Sequence, residues 1–369
     1  MTSTKPQDSF RVVKTGKKLL AFGADLQKAL KASLPSRNQV YDRVSVLAFH
    51  WENDDMGVAA LEEELLHVFD EVYGYETESW TIPVAGDPDT ELAKKLIDWT
   101  GAHEGARNLR IYVYSGHASA PNVQDKTCGQ VDECGNLRGP QLEWMLTGTP
   151  LIVERAKGDM AYILDCCSSG AAALIDGPEA MCSSVWKRIA SASLEVSFTR
   201  VLIDTLVELN GETETLAGIF AIIFRGAYEN EVGACPVYVP KKNCQSIVLS
   251  PINRTKITTH KRTKTHHRVL LSVHLKENQP DLQAWTEWLS TNLPAGILTA
   301  EVKIESVCES KSKSKSTTLL VTVPLKIWTM LDMGDETMGF VSYVFSNNTL
   351  PAPERNIFSS QLPHRPARQ

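Results

Sequence analysis

The stretch Ala161-Tyr-Ile-Leu-Asp-Cys-Cys-Ser-Ser-Gly170 joins a short apolar run to two adjacent thiols and three small residues. An apolar run of this length predicts a buried strand, and its carboxyl end carries Cys166 and Cys167. The two thiols could pair only as a strained vicinal disulfide, so we expect both to be reduced. Whether one of them acts as a nucleophile depends on what the fold brings next to this strand end.

Three other short runs are similar to this strand, and helical patterns separate them. The runs lie at residues 44–49, 80–84 and 109–114, and the helical patterns at 56–69, 91–99, 150–156 and 197–209. Strands that alternate with helices predict a parallel sheet covered on both faces. In such a sheet the ligand site lies outside the carboxyl ends of the strands.

The composition limits the class of protein. The chain has 369 residues, 43% of them hydrophobic and 22% charged, as in soluble globular proteins. The net charge of −6 indicates no nucleic-acid partner, and no apolar run is long enough to span a bilayer. Because no secretory signal pattern is visible, we expect a cytoplasmic protein, with the nucleus as the alternative, and reduced cysteines.

The composition and the hydrophobic pattern of the chain change along its length. An amphipathic pattern at residues 19–34 predicts a helix that covers the main domain. A polar, basic stretch starts at Pro240 and predicts a linker. After it, a strand-helix-strand-strand-helix-strand pattern predicts a small ferredoxin-like α+β domain. The expected segments are an N-terminal helical extension (1–40), the main α/β domain (41–250), the linker (251–268), the βαββαβ domain (269–348) and a tail (349–369).

A cysteine acts as a nucleophile in its thiolate form, and a neighbouring base is the usual activator. His117 follows Tyr114-Ser-Gly at the end of a neighbouring predicted strand, so it is the natural base. The structural alternative is a histidine that caps a turn near two buried cysteines. A cysteine phosphatase is disfavoured, because the arginine it needs six residues after its cysteine is replaced by Ala172 or Ala173.

Together, Tyr114-Ser-Gly-His117 and Asp165-Cys-Cys-Ser-Ser-Gly170 resemble the histidine and cysteine motifs of caspase-like cysteine peptidases. The nearest patterns are S-G-H-G and D-x-C-x-S-G of metacaspases. Residues 40–345 are similar to a group of fungal caspase-domain proteins. The resemblance implies a caspase-like α/β fold, a protein or peptide substrate, and a role in regulated proteolysis or programmed cell death. Alignment on D-x-C-x-S-G makes Cys167 the nucleophile and leaves Cys166 a packing role.

The resemblance also assigns roles to individual residues. His117 would activate Cys167 and later protonate the leaving amine. The backbone N–H groups of Cys167 and Ala118 would form the oxyanion hole, although the family has glycine where Ala118 stands. Asp165 would bind a basic P1 side chain, which implies cleavage after Arg or Lys. The alternative for Asp165 is a structural turn carboxylate.

Asp54 and Asp55, in the loop after the first predicted strand, could add a second carboxylate to this pocket. Alternatively they cap the helix that follows. No cofactor or metal is expected, since Cys128 and Cys134 have no partner histidine nearby. Calcium dependence stays open by resemblance alone.

The sequence is also compatible with other interpretations of the linker and of the function. The linker contains six basic residues, so it is either a self-processing site or a plain spacer: Arg254, Lys256, Lys261, Arg262, Lys264 and Arg268. Ala118, and Ser168 where metacaspases often have histidine, are compatible with a catalytically weak or inactive caspase-fold signalling module. Transpeptidation would use the same acyl-enzyme chemistry.

Overall fold

A computed structural model of the protein describes residues 16–35, 40–119, 126–132, 136–143, 157–166, 178–183, 197–229, 236–241, 243–252, 268–277, 280–292, 302–309, 317–332 and 334–344. Its helices are α1 (Leu19–Ser33), α2 (Ala59–Tyr73), α3 (Pro88–Ala102), α4 (Phe198–Leu209), α5 (Leu216–Glu229), α6 (Leu282–Asn292) and α7 (Leu325–Trp328).

Its strands are β1 (Arg43–Trp51), β2 (Glu76–Ile82), β3 (Asn108–Ser115), β4 (His117–Ser119), β5 (Lys126–Cys128), β6 (Gln130–Val131), β7 (Leu137–Arg138), β8 (Leu142–Glu143), β9 (Asp159–Asp165), β10 (Glu179–Cys182), β11 (Glu214–Thr215), β12 (Val237–Val239), β13 (Val248–Leu249), β14 (Arg268–Leu275), β15 (Lys303–Glu309), β16 (Thr317–Pro324) and β17 (Met338–Val344). In this described part of the chain, no helix is both long and apolar enough to span a membrane.

A six-stranded sheet, in the order β12-β10-β9-β3-β1-β2, forms the centre of the main domain. Its neighbouring strands are parallel, except that β12 runs antiparallel to β10. The mixed α/β class and the mostly parallel sheet expected from the sequence are therefore confirmed.

Both faces of this sheet are buried. The alternating side chains of β1 enter two different apolar clusters: Val44, Val46 and Ala48 on the first face, and Leu47, Phe49 and Trp51 on the second. Helices α2 and α4 cover the first face, whereas α3 covers the second. Burial on both faces explains why the strand is apolar at consecutive positions rather than at alternate ones.

The edge strand β2 starts earlier than the sequence pattern at residues 80–84 predicted. Its first half carries acidic side chains that pair across the surface, Glu76 with Arg43 and Glu78 with Lys95. A strand at the edge of the sheet can keep such polar residues, because one of its sides faces solvent. Hydrophobic periodicity therefore detected only its buried end.

The C-terminal module contains an antiparallel sheet of order β15-β16-β14-β17. Along the chain its elements follow one another as strand, helix, strand, strand, helix, strand. Every second residue of β14 is buried, as expected of a strand with one face toward a core. The assignment to the ferredoxin-like class and the exact domain boundaries stay predictions.

Helix α1 contacts this C-terminal module as well as the main domain, which we had expected it to cover. Phe22 stacks on Trp285, with ring centroids 5.8 Å apart. Gly23 lets both Trp285 and Trp288 approach the helix closely. At the other end of α1, Ala32 accepts a hydrogen bond of 2.9 Å from the backbone N–H of Ser246. The helix is thus packed between the two parts of the chain.

The polar stretch that starts at Pro240 was predicted to be a linker, but part of it is buried in the protein. Ser246, Ile247, Val248 and Leu249 are all buried. The Glu179 carboxylate fixes this stretch, because it accepts hydrogen bonds from the Ser246 hydroxyl and the Ile247 N–H. Polar composition hid this packing from the sequence pattern. Residues 253–267 lie outside the described residues.

Candidate active site

The histidine motif and the end of the cysteine-bearing strand lie side by side. Strands β3 and β9 are parallel neighbours, and Ser115 is the register partner of Asp165. The N–H of Gly116 donates a hydrogen bond of 3.1 Å to the carbonyl of Asp165. His117 therefore follows directly after the point where the two strands are joined, at the carboxyl edge predicted for a ligand site.

Cys167 and Ser168 lie outside the described residues, so the contact between Cys167 and His117 stays a prediction. The residue before them is described. Cys166 is 5% exposed and belongs to the apolar cluster on the second face of the sheet. Its carbonyl accepts a hydrogen bond of 3.0 Å from the Ser183 hydroxyl. These contacts agree with the packing role expected for Cys166.

The turn before His117 depends on glycine. Gly116 has a φ of +147°, and a Cβ atom there would lie 2.9 Å from the hydroxyl of Tyr114. That hydroxyl donates a hydrogen bond of 3.0 Å to the carbonyl of His117. Burial raises the pKa of Tyr114 well above its usual value, so the hydroxyl keeps its proton and remains a donor. The buried tyrosine thus fixes the backbone of the histidine.

The imidazole of His117 is held by a carboxylate from the loop after β1. Its Nε2 lies 2.6 Å from Oδ1 of Asp55, and the His117 side chain is only 16% exposed. An ionised carboxylate can only accept hydrogen bonds, so Nε2 is the donor in this pair. The other ring nitrogen, Nδ1, is then the one that can accept a proton.

The loop that carries Asp55 is itself anchored. Asp54 accepts hydrogen bonds from the N–H groups of Gly57 and Val58, at 2.7 and 3.0 Å. The backbone N–H of Asp55 donates to the carbonyl of Gly129 at 3.2 Å. The contacts of Asp54 are those of a carboxylate that caps the start of a helix. A role of Asp54 or Asp55 in a substrate pocket stays a prediction.

The residue opposite His117 on the neighbouring strand is a cysteine. Cys128 on β5 is the register partner of His117 on β4, and its thiol donates a hydrogen bond to the carbonyl of Gln130. Burial raises the pKa of Cys128, which disfavours the reactive thiolate. Nothing in the sequence pattern predicted that Cys128 lies opposite the histidine.

Asp165 is bonded to the start of helix α4. Its Oδ2 accepts hydrogen bonds from the N–H and the hydroxyl of Thr199, at 2.9 and 2.7 Å. Burial raises the pKa of Asp165, although these hydrogen bonds act in the opposite direction. Sequence reasoning missed Thr199. The pattern at Ser197, whose side chain caps α4, indicates a helix start but not which strand it faces.

The alanine at the proposed oxyanion hole takes an ordinary backbone conformation. Among the described residues other than glycine, positive φ occurs at Asn210 and Asn243, so Ala118 is not strained in the way a replaced left-handed glycine would be. It lies on β4, opposite Thr127 on β5. Its role as an oxyanion donor stays a prediction. No group of three or more His, Cys, Asp or Glu side chains suited to a metal ion occurs within the described ranges.

Comparisons with known proteins give structural similarity without sequence similarity. No family model matches the chain, and no curated protein matches it. It is similar to the crystal structure of caspase-1 from Spodoptera frugiperda, with 9% identity and a TM-score of 0.39, over 57% of this chain and 92% of that chain. It is also similar to the Drosophila initiator caspase Dronc, with 10% identity and a TM-score of 0.34, over 58% and 85% of the respective chains.

Proposed function

We propose that the protein is a caspase-like cysteine endopeptidase with a dyad of Cys167 and His117. The observation that carries the proposal is the register of Ser115 with Asp165, since the chain continues from these two residues to His117 and Cys167. A histidine base next to a cysteine nucleophile would supply the two groups that acyl transfer needs.

In this mechanism Nδ1 of His117 takes the proton of the Cys167 thiol, and the thiolate sulfur attacks the carbonyl carbon of the substrate. The carbonyl electrons move to the oxygen, where the N–H groups of Cys167 and Ala118 stabilise the charge. The C–N bond then breaks as the imidazolium gives its proton to the leaving amine. His117 then deprotonates a water molecule, which attacks the thioester carbon; the C–S bond breaks, the acid product leaves, and the imidazolium returns its proton to the thiolate of Cys167.

The proposed preference is for Arg or Lys at P1, because Asp165 places a carboxylate at this edge of the sheet. Thr199 donates two hydrogen bonds to Asp165, and Ser183 is a further partner of this carboxylate, so a basic P1 side chain would have to join or displace these donors to pair with it. A protein or peptide substrate and a role in regulated proteolysis or programmed cell death are further parts of the proposal that rest on family resemblance.

The first experiment compares Cys167→Ala with Cys166→Ala on fluorogenic peptides that end in Arg, Lys or Asp. We expect Cys167→Ala to lower kcat/KM by at least about 10³-fold, and His117→Ala to have a similar effect. Cys166→Ala is the matched control, because it removes the same atoms one residue earlier and should keep most of the activity. Activity that survives Cys167→Ala would rule out the dyad.

A second experiment uses a peptide chloromethyl ketone with Arg at P1. The exposed Cys244 and Cys308 would react with it unselectively, so both are first replaced by serine. We expect labelling of one site, which is lost in Cys167→Ala and in His117→Ala.

Incubation of the purified chain also tests self-processing in the linker: a single intact band, with or without Cys167, would exclude it.

An inactive signalling or interaction module is the second candidate function. The observation that favours it is the engagement of Asp165 by the start of α4, which is also how a purely structural turn carboxylate is held. If labelling is spread over several cysteines and no peptide is cleaved, this candidate replaces the enzyme. Transpeptidation is distinguished from hydrolysis by adding an amine acceptor and analysing the products.

A further inference from the structure

We propose that Asp55 is a positioning residue for the catalytic base: it holds His117 in the tautomer that carries its proton on Nε2, and thereby directs Nδ1 to the thiol. As a statement about catalysis this rests on the proposed function. As a statement about the imidazole it can be tested without any peptidase assay. It gives Asp55 a role different from the second pocket carboxylate that its place in the loop after β1 suggested.

The geometry of the pair supports this role. The distance of 2.6 Å between Nε2 and Oδ1 of Asp55 is that of a short, charge-assisted hydrogen bond. The imidazole is 16% exposed and the carboxylate 39%, so water competes little for the histidine end of the bond. While His117 takes and returns a proton at Nδ1, the Asp55 carboxylate stays bonded to Nε2 and keeps the ring oriented, as the third group does in catalytic triads.

The position of Asp55 is built into the fold. Its N–H is bonded to the carbonyl of Gly129, which directly follows Cys128, the register partner of His117. Strand β5 pairs with His117, and the residue that directly follows β5 holds the backbone of Asp55. The packing at Gly129 is so close that a Cβ atom there would collide with the Asn53 side chain. The loop and the strand thus fit together in one arrangement, and a carboxylate held in this way is suited to orienting a ring.

The two possible roles of Asp55 predict different kinetics. A pocket carboxylate binds the P1 side chain, so its loss would raise KM for Arg and reduce the preference for Arg over citrulline, its uncharged isostere. A positioning carboxylate acts on the base, so its loss would lower kcat on both substrates by the same factor. The contact with His117 favours the second outcome.

The direct experiment is NMR of the full chain labelled with 15N-histidine, at a pH where His117 is neutral. A His117→Gln variant assigns the signal. We expect a downfield ring proton on Nε2 that exchanges slowly with water, because the carboxylate holds it. It should disappear in Asp55→Ala. Glu52→Gln is the matched control, since it removes the same charge from the same loop, where Glu52 accepts from the Val84 N–H.

The kinetic arm measures Asp55→Ala and Asp55→Asn on Arg and citrulline peptides. We expect kcat to fall at least about tenfold, with the Arg-to-citrulline ratio unchanged, and a smaller loss in Asp55→Asn, whose amide oxygen can still accept the bond. A proton on Nδ1 in the wild type, or a proton on Nε2 that persists in Asp55→Ala, would overturn the proposal. If the wild type cleaves nothing, the proposed function fails while the NMR result still decides the role of Asp55.

Discussion

Gly116 is the residue on which the position of His117 depends most. Its φ of +147° is one that L-residues with a side chain rarely adopt, and a Cβ atom would lie 2.9 Å from the Tyr114 hydroxyl. We expect Gly116→Ala to cost about 1–3 kcal/mol of unfolding free energy. Because the Tyr114 hydroxyl would have to leave the carbonyl of His117, peptidase activity should fall further than stability explains. Urea unfolding and kcat/KM, measured on the same sample, test this.

Gly86→Ala provides the matched control for this variant. Gly86 also has a positive φ, +84°, but a Cβ atom there would meet nothing within 4 Å. The Gly86→Ala variant should lose only about 1 kcal/mol of unfolding free energy, the cost of a positive φ in a residue with a side chain, and keep full activity. Equal losses of stability in the two variants, with activity kept in both, would show that the Tyr114 contact does not position the histidine.

Cys128 offers a second prediction about single residues. Although it lies opposite His117, its burial and raised pKa should make it unreactive. Under native conditions iodoacetamide should modify Cys244 and Cys308, which are exposed, and leave Cys128 intact until urea unfolds the chain. Peptide mass spectrometry measures each site. Rapid native modification of Cys128 that requires His117 would mean that the histidine activates this thiol instead of Cys167.

Strands β10 and β12 are tied to β13 by one buried carboxylate. Glu179 is bonded to Tyr238, Ser246 and the N–H of Ile247, and burial raises its pKa to about 7. Its folded-state pKa is therefore above the unfolded value of 4.5. Folding therefore favours the protonated form of Glu179. The contribution of this group to the free energy of unfolding is complete at low pH and is lost as the pH rises through about 7.

We therefore expect wild-type stability to decrease from about pH 5 to pH 8 by up to about 3 kcal/mol, and Glu179→Gln to flatten this dependence. The glutamine can still accept from Ile247 N–H. Urea unfolding at four pH values measures the effect. Glu71→Gln, on the exposed side of α2, should keep the wild-type slope. A Glu179→Gln variant with that same slope would contradict the assignment of the titration to Glu179.

Some strands of the central sheet could be predicted from the sequence, whereas the hydrogen-bond partners at the candidate site could not. Strands β3 and β9 were predicted because strands buried on both faces are apolar at consecutive positions. The partners of the site could not be predicted in this way. Asp55 lies 62 residues from His117, and Thr199 lies 34 residues from Asp165. Such pairs depend on how loops pack against strands, which hydrophobic periodicity does not record.

Within the described parts of the chain, the two modules contribute to one hydrophobic core. A single apolar cluster runs from the first face of the central sheet through α1 to the buried side of β14 and β16. The sequence suggested two domains joined by a polar linker. Composition indicates which segments are exposed to solvent, but it does not show which distant segments contact each other. Cleavage within the linker would accordingly leave the two parts held together by α1.

Phe22 tests this shared core. It is fully buried and stacks on Trp285, so Phe22→Ala should cost about 3–5 kcal/mol. If α1 joins the modules, calorimetry should show one unfolding transition in the wild type, shifted as a whole to lower temperature in the variant. Leu20→Ala is the control on the same helix, because Leu20 is 64% exposed and its loss should change stability by no more than about 0.5 kcal/mol. Two separate transitions, of which Phe22→Ala lowers only one, would mean that the modules fold independently and that α1 belongs to one of them.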